Sequence, residues 1–248
     1  MRNILFIIIG TLIALFFLAR VLYQNTRVLD FFSSSFIEQG VVAEEEAKSF
    51  FPSDAPSAKR SIFFGLVEPV DSFAKRVSKK PFGIFVSPEN SPVSPERFRG
   101  YHTGVDAEIF MGEEKKNIFV SAVADGTVVS VRFATGYGGL VVIEHEIKGS
   151  VPNIIEGKKI YGIYGHIRLS SIIIRSNDFV KAGDIIGVLG EAYSDDTGGE
   201  RKHLHFGLFS AGADPAFGGQ FLNSIPDIRG YVERKEELQN WLNPLQFF

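Results

Sequence analysis

The fold of this chain is decided by a series of short apolar runs, which read Ile118-Phe119-Val120, Thr127-Val128-Val129-Ser130-Val131, Leu140-Val141-Val142-Ile143, Ile160-Tyr161-Gly162-Ile163-Tyr164 and Ile185-Ile186-Gly187-Val188-Leu189. β-Branched and aromatic residues dominate these runs, and glycine-containing turns alternate with them. Regular spacing of this kind is typical of all-β sandwiches and barrels. We therefore expect a mostly β domain built on an antiparallel sheet or sandwich core.

Two turns and one helix complete this prediction. Asp125-Gly126 lies between two of the runs and is a strong hairpin signal. Lys181-Ala182-Gly183-Asp184 predicts a second turn before the strand that begins at Ile185. Over residues 231–242 the apolar spacing indicates a short C-terminal helix packed on the sheet.

The composition excludes several classes of function. The 248 residues include 26 Lys and Arg against 29 Asp and Glu, and the net charge of -3 lacks the positive field that a nucleic-acid-binding protein needs. The chain has no cysteine, which excludes disulfides, thiolate metal ligands and a cysteine nucleophile. A metal site in this chain must therefore use histidine and carboxylate side chains.

The N-terminus is a separate element. Residues 4–19 carry no charge, and with Arg20 extended to the interface the apolar stretch continues to Tyr23. Twenty helical residues span roughly 30 Å, which is one hydrocarbon core. The exit Phe17-Leu18-Ala19-Arg20-Val21 lacks the small-residue pattern of a cleavage site, so residues 1–25 are interpreted as a transmembrane signal anchor rather than a cleaved signal peptide. Residues 26–60 are then a juxtamembrane tether, and residues 61–248 are the folded domain.

Four of the five histidines fall in three short segments, which contain His102, His166, and the pair His203 and His205. Side chains alternate along a strand, so His203 and His205 share one face. The even separation of His102 and Asp106 brings those two side chains together in the same way. Catalytic zinc takes three protein ligands and leaves one position for water, and two histidines with Asp106 meet that count. The other two histidines are then available as acid and base, although the residues alone do not decide which of His203 and His205 binds the metal.

Four further polar residues need an interpretation. His145 stands between two glutamates on a predicted strand and is a surface or packing residue. The cations Arg99, Arg201 and Lys202 flank the histidine segments, where they either bind substrate carboxylates or remain solvated at the rim. No glutamate stands at HExxH spacing, which excludes a thermolysin-like site.

Six segments follow one another in a characteristic order between about residues 80 and 209: Phe98-Arg99-Gly100-Tyr101-His102-Thr103-Gly104-Val105-Asp106, Val120-Ser121-Ala122-Val123-Ala124-Asp125-Gly126-Thr127-Val128, Gly136-Tyr137-Gly138-Gly139, Ile163-Tyr164-Gly165-His166-Ile167, Val180-Lys181-Ala182-Gly183-Asp184-Ile185-Ile186-Gly187 and His203-Leu204-His205-Phe206. They resemble the successive signature blocks of the lysostaphin/LytM-type zinc metalloendopeptidases.

The resemblance implies an antiparallel β-sheet core of the LytM type, the duplicated hybrid motif, with a groove across it and one Zn2+ per chain. It implies that His102, Asp106 and His205 are the zinc ligands and that His166 and His203 are the catalytic pair. The implied substrates are glycyl or D-amino-acid peptide bonds in bacterial peptidoglycan crosslinks. Since that substrate lies outside the cytoplasm, the domain is expected there, held to the membrane by a single-pass helix.

Two alternatives stand beside this prediction. A non-catalytic relative that activates another cell-wall hydrolase would have lost metal ligands, but all five positions are kept. A lipoyl- or biotinyl-type carrier module would display a lysine at a tight turn where this chain has Asp125-Gly126. The chain departs from the family pattern at Gly207, which is often glutamate, and in a longer acidic loop over residues 191–201, so the substrate preference stays open.

Overall fold

The structure is a computed structural model, and it describes residues 62–63, 66–145, 159–211 and 228–248. The predicted membrane helix over residues 1–25 and the predicted tether over residues 26–60 lie outside these ranges. Within the ranges, no helix has the length and apolar character that a membrane crossing requires.

The regular structure of the described residues is mainly β-strand. In chain order the strands are β1 (Ile62–Phe63), β2 (Leu66–Val67), β3 (Phe85–Val86), β4 (Gly100–His102), β5 (Val105–Glu108), β6 (Phe119–Ser121), β7 (Gly126–Ala134), β8 (Gly138–His145), β9 (Lys159–Gly165), β10 (Phe179–Val180), β11 (Ile185–Val188), β12 (His203–Ala211), β13 (Tyr231–Val232) and β14 (Trp241–Leu242). The helices are short: α1 (Phe73–Arg76) and 3-10 helices at Leu169–Ser171, Asp195–Thr197, Lys235–Asn240 and Pro244–Gln246. The predicted mostly β, antiparallel fold is confirmed, and all five apolar runs overlap observed strands.

The largest sheet has the strand order β10-β7-β8-β9-β12-β14, and β5 also pairs with β12. Every strand pair in it is antiparallel. On β12, Leu204 and Phe206 are buried in the main apolar core with Tyr164 of β9. Because alternate residues of a strand face opposite sides, His203 and His205 of β12 are directed away from that core, towards the functional site.

Smaller sheets complete the domain. β4 pairs with β3 on one side and with β13 on the other, β6 pairs with β11, and β1 pairs with β2. Only Thr103 and Gly104 separate β4 from β5, so the three-stranded sheet and the largest sheet meet at this point of the chain.

The hairpin predicted at Asp125-Gly126 is wrong. β6 pairs with β11 and β7 pairs with β8 and β10, so this turn carries the chain from one sheet to another. Backbone hydrogen bonds from Ala122 to Asp184 and from Gly183 to Ala122 hold the preceding segment to the second turn. That second turn forms as predicted, and the Asp184 amide donates a hydrogen bond to the Lys181 carbonyl at 3.0 Å.

The single helix predicted over residues 231–242 is also wrong in extent and type. Two short strands, β13 and β14, occupy its ends, and a six-residue 3-10 helix lies between them. Val232 and Trp241 are buried, the latter against Phe209 of β12 with ring centroids 5.1 Å apart. The segment between them has no buried residue, so the apolar spacing reflects two strand contacts and not one helical face.

Candidate metal site and catalytic cleft

The site is assembled where β12 passes between β5 and β9. In this register His205 lies opposite Asp106 on one side and opposite Gly165 on the other, so Asp106 and His205 face the same way. His102 comes from the end of β4 in the neighbouring sheet. The turn that joins the two strands requires Gly104, because a Cβ there would lie 2.5 Å from the Phe206 carbonyl oxygen and 2.9 Å from His205 Nε2.

Three ligand-type atoms form a nearly equilateral triangle. His102 Nε2 lies 3.0 Å from His205 Nδ1 and 3.2 Å from Asp106 Oδ1, and the last two atoms are 3.3 Å apart. Metal bonds of about 2.0–2.1 Å at tetrahedral angles require ligand atoms about 3.3 Å apart. Asp106 Oδ1 is buried and accepts no hydrogen bond in the described part of the chain. The triangle therefore fits one zinc ion in both size and donor set.

The protonation states suit a cation. Burial alone would raise the pKa of Asp106, but the neighbouring charges of His203 and His102 hold it well below its ordinary value. Burial lowers the pKa of His205 to about 4, although the negative charge of Asp106 acts in the opposite direction. The Nδ1 of His102 donates to the Pro81 carbonyl at 3.3 Å, which leaves its Nε2 as the atom with the lone pair.

The other two histidines lie side by side, with ring centroids 4.3 Å apart. His166 has a left-handed φ of 65°, which is uncommon for a residue with a side chain. Its amide donates to the Tyr137 carbonyl and its carbonyl accepts from the Gly190 amide, both at 2.9 Å, so the backbone holds this conformation from two sides. His203 donates from Nδ1 to the Arg201 carbonyl at 2.8 Å, and its Nε2 lies 3.3 Å from Asp106 Oδ2.

The buried imidazole of His166 is neutral. Burial lowers its pKa well below the ordinary value, and the positive charges of His203 and His205 act in the same direction. Its Nδ1 is buried and has no hydrogen-bond partner among the described residues. A neutral imidazole with an unused ring nitrogen is equipped to accept a proton.

Four of these five residues open onto one cavity of about 390 Å³. The acidic and histidine residues in its wall are Asp106, His166, His203, His205 and Glu200. Aromatic and basic side chains form much of the remainder: Phe98, Tyr137, Tyr231, Lys80, Arg132, Arg201 and Arg229. The site thus combines a metal-binding triangle, two further imidazoles and space for a substrate.

Residues 100–215 match the model of peptidase family M23. Over these 116 of the 248 residues, the chain is similar to that family. The matched segment contains every histidine and carboxylate of the triangle and both further imidazoles. The lysostaphin/LytM-type resemblance stated from the sequence is therefore confirmed for this domain.

Solved structures with similarity to the chain include a zinc-containing peptidase from Vibrio cholerae, at 23% identity over 61% of this chain and 37% of that one, with a TM-score of 0.36. The complex of SpoIIIAH and SpoIIQ matches at 25% identity over 74% of this chain and 99% of that one, with a TM-score of 0.42. The catalytic domain of lysostaphin from Staphylococcus simulans matches at 18% identity over 67% and 87%, with a TM-score of 0.39.

No curated protein sequence matches the chain significantly. The chain spans little more than a third of the length of the Vibrio cholerae peptidase. Since none of the three TM-scores reaches 0.5, the family assignment rests on the sequence match over residues 100–215.

Outside the segment that matches the family model, the structure places a second set of residues at the site that the sequence reasoning missed. The Tyr231 ring stacks on His102 with centroids 5.1 Å apart, and its hydroxyl accepts from Lys80 Nζ at 3.0 Å. Lys80 and Glu96 form a buried ion pair at 2.5 Å. No local sequence pattern marks Tyr231, Lys80 or Glu96. Tyr137, which also lines the cavity, lies in the glycine-rich block over residues 136–139 and could have been singled out from that block.

The three cations predicted near the substrate have other partners. Lys202 is buried, and its three ammonium hydrogens are matched by the Glu114 and Lys116 carbonyls and by Glu191. Lys202 is therefore neither a solvated rim charge nor free to bind a substrate carboxylate.

Arg99 and Arg201 differ from each other. Arg99 is exposed, lies 3.8 Å from Glu89 and is absent from the cavity wall. Arg201 does line the cavity, but its side chain donates to Asp106 and Glu108. Substrate binding by Arg99 and Arg201 stays a prediction.

His145 is a packing residue. It is buried, with Nδ1 donating to the Ala124 carbonyl at 3.0 Å and Nε2 accepting from the Tyr164 hydroxyl at 2.8 Å. Burial lowers its pKa to about 4. Of the two alternatives that the sequence left open, the structure selects packing.

Proposed function

We propose that the chain is a zinc metalloendopeptidase that hydrolyses peptide bonds in bacterial peptidoglycan crosslinks. His102, Asp106 and His205 would hold one zinc ion, and His166 and His203 would transfer protons. The observation that carries this proposal is the triangle of ligand atoms beside a pair of imidazoles at one cavity. The similarity to peptidase family M23 over the same residues supports it.

When bound, zinc supplies Lewis-acid chemistry, lowering the pKa of a water molecule and polarising the scissile carbonyl. His166, which burial keeps neutral, accepts the proton of the attacking water. His203 lies beside His166, with its Nε2 3.3 Å from Asp106 Oδ2, and the two imidazoles together return that proton to the leaving amine. The hydrogen bond from His203 Nδ1 to the Arg201 carbonyl fixes the ring orientation for that transfer.

The cavity also fits an anionic peptide. Arg132 and Arg229 are exposed and line the same wall as the histidines. Peptidoglycan peptides carry free carboxylates, and Arg132 is placed to bind one of them, whereas Arg229 already pairs with Glu237 at 2.9 Å. In this proposal Arg132 takes the substrate-binding role that the sequence suggested for Arg99, Arg201 and Lys202.

The place of action is part of the same proposal. An apolar helix over residues 4–23 would anchor the chain in the cell membrane, with the M23 domain outside the cytoplasm. The uncharged stretch and the location of the substrate support this arrangement.

Digestion of purified, crosslinked peptidoglycan by the full-length protein in detergent tests the activity. Released peptides are identified by mass, and each cleavage must create a new amino terminus. The Asp106→Ala variant and the wild-type protein with a zinc chelator are the controls, and both are expected to release nothing. A wild-type protein that binds zinc, is folded and still cleaves no bond would refute the hydrolase and favour the alternative of a non-catalytic activator.

A further inference from the structure

Arg201 lies between two carboxylates that project from the same face of β5. Its Nη2 donates to Asp106 Oδ2 at 2.7 Å and to Glu108 Oε1 at 2.5 Å, and its Nε donates to Glu108 Oε1 at 2.9 Å. The Arg201 side chain is only 14% exposed, and the two carboxylates are less exposed than that. A planar guanidinium bound at two of its nitrogens cannot turn without breaking several charge-assisted bonds.

The two oxygens of Asp106 have different surroundings because of this arrangement. Oδ2 is bound to Arg201 at 2.7 Å and lies 3.3 Å from His203 Nε2, while Oδ1 faces the ring nitrogens of His102 and His205 and accepts no hydrogen bond in the described part of the chain. Without Arg201, only the longer contact to His203 would keep the carboxylate from rotating and offering both oxygens to a metal. The second oxygen would then occupy the coordination position that catalysis needs for water.

We propose that Arg201 is a positioning residue that keeps Asp106 a single-oxygen ligand, with Oδ1 directed to the metal. The inference rests on the metal site of the proposed function. It replaces the substrate-binding role predicted for Arg201 from the sequence. Glu108 supports this role, because it holds the Arg201 guanidinium in place and balances its positive charge, which would otherwise repel a divalent metal ion.

Side chain and main chain of Arg201 act on different partners. The side chain holds the metal ligand Asp106, whereas the carbonyl oxygen accepts from Nδ1 of His203. A substitution of the side chain removes the first contact and keeps the second. Variants at this position therefore remove the contact to the metal ligand, while the main-chain bond that orients the His203 ring stays in place.

The test measures the metal directly in the full-length protein. Cobalt(II) replaces zinc, its visible absorption reports coordination number, and competition with a chelator gives the metal dissociation constant. We expect Arg201→Met to weaken metal affinity by about 10- to 100-fold and to reduce the intense absorption of four-coordinate cobalt as a fifth ligand atom binds. The control is Arg168→Met, an arginine of similar exposure, 15%, that pairs with Glu191, and it should match the wild type.

A second variant covers the case in which Arg201→Met does not fold. Glu108→Gln keeps the bond from Arg201 to Asp106 but weakens the group that holds the guanidinium, so its spectrum and affinity should change in the same direction by a smaller amount. If the one variant is unfolded and the other behaves as the wild type, the positioning role is wrong.

Three other results would overturn the inference. The first is an unchanged spectrum and metal affinity in Arg201→Met. The second is tighter metal binding in that variant, which would mean that Arg201 acts by repulsion alone. The third is the absence of metal binding by the wild-type protein. By contrast, a wild-type protein that binds cobalt in four-coordinate form, loses that form in Arg201→Met and yet cleaves no peptidoglycan would refute the hydrolase and support the positioning role.

Discussion

Replacing His145 by glutamine is expected to make the free energy of unfolding less sensitive to acid. The imidazole of His145 is buried on β8 between the Ala124 carbonyl and the Tyr164 hydroxyl. Burial lowers its pKa from 6.5 to about 4, against the opposing effect of the Asp125 and Ala124 carbonyls. The folded chain therefore keeps this histidine neutral at a pH where the unfolded chain protonates it.

The sign and size of the effect follow from these two pKa values. Above about pH 6.5 neither state binds the proton, so His145 costs no stability there. As the pH falls from 6.5 towards 4, the unfolded chain takes up the proton first and the free energy of unfolding decreases. The loss is about 2 kcal/mol at about pH 5 and approaches about 3.4 kcal/mol below about pH 4.

Urea unfolding followed by circular dichroism at about pH 7.5 and about pH 5 measures this loss. A chelator is present throughout, so that the metal site is in the same state in every variant. The wild type should lose about 2 kcal/mol more than His145→Gln between the two pH values. Tyr164→Phe removes a partner of His145 but keeps the imidazole, and it should retain most of the wild-type pH dependence. Parallel losses in the wild type and His145→Gln would refute the reasoning.

Three further predictions concern the site and its location. Metal analysis should find one zinc per chain. Alanine in place of His102, Asp106 or His205 should abolish zinc binding or weaken it by orders of magnitude. Full zinc occupancy in all three variants would show that these residues are not the ligands. His166→Ala and His203→Ala should keep zinc but lose about 10²–10⁴-fold in peptidoglycan hydrolysis, and near-normal turnover in either variant would exclude that histidine from proton transfer. If residues 4–23 are an uncleaved anchor, the full-length protein should sediment with membranes, keep its original amino terminus and be degraded by protease added to spheroplasts. Complete protection would contradict the orientation, and a soluble form that begins near residue 20 would show that the segment is cleaved.

Much of the fold could be predicted because strands leave a local record. Residues such as Val128, Val141 and Ile163 are buried in sheets, and such positions favour β-branched side chains in short runs. The alternation of His203 and His205 with Leu204 and Phe206 likewise follows from the geometry of one strand. The predictions of a hairpin at Asp125-Gly126 and of a helix over residues 231–242 were wrong because a local pattern does not show which strands pair with each other.

The candidate site divides in the same way. The sequence predicted the five polar residues of the site, because each lies in a short segment of recognisable type. They are His102, Asp106, His166, His203 and His205. The residues alone left open which histidine of β12 binds the metal, and the family resemblance named His205. The register of β12 gives the physical reason, because His205 lies opposite Asp106 and completes the triangle, whereas His203 lies opposite Glu108.

The partners of the surrounding charged groups could not be predicted from the sequence. Arg201 and Lys202 adjoin the histidine motif and have the same charge, yet one binds the carboxylate of Asp106 and the other is buried against main-chain carbonyls. His102 and His205 are 103 positions apart and meet at 3.0 Å. By itself, then, the sequence determined which side chains this domain has for chemistry and that strands carry most of them. The tertiary structure decided which atoms meet, because strand pairing and burial join residues whose separation along the chain carries no local signal.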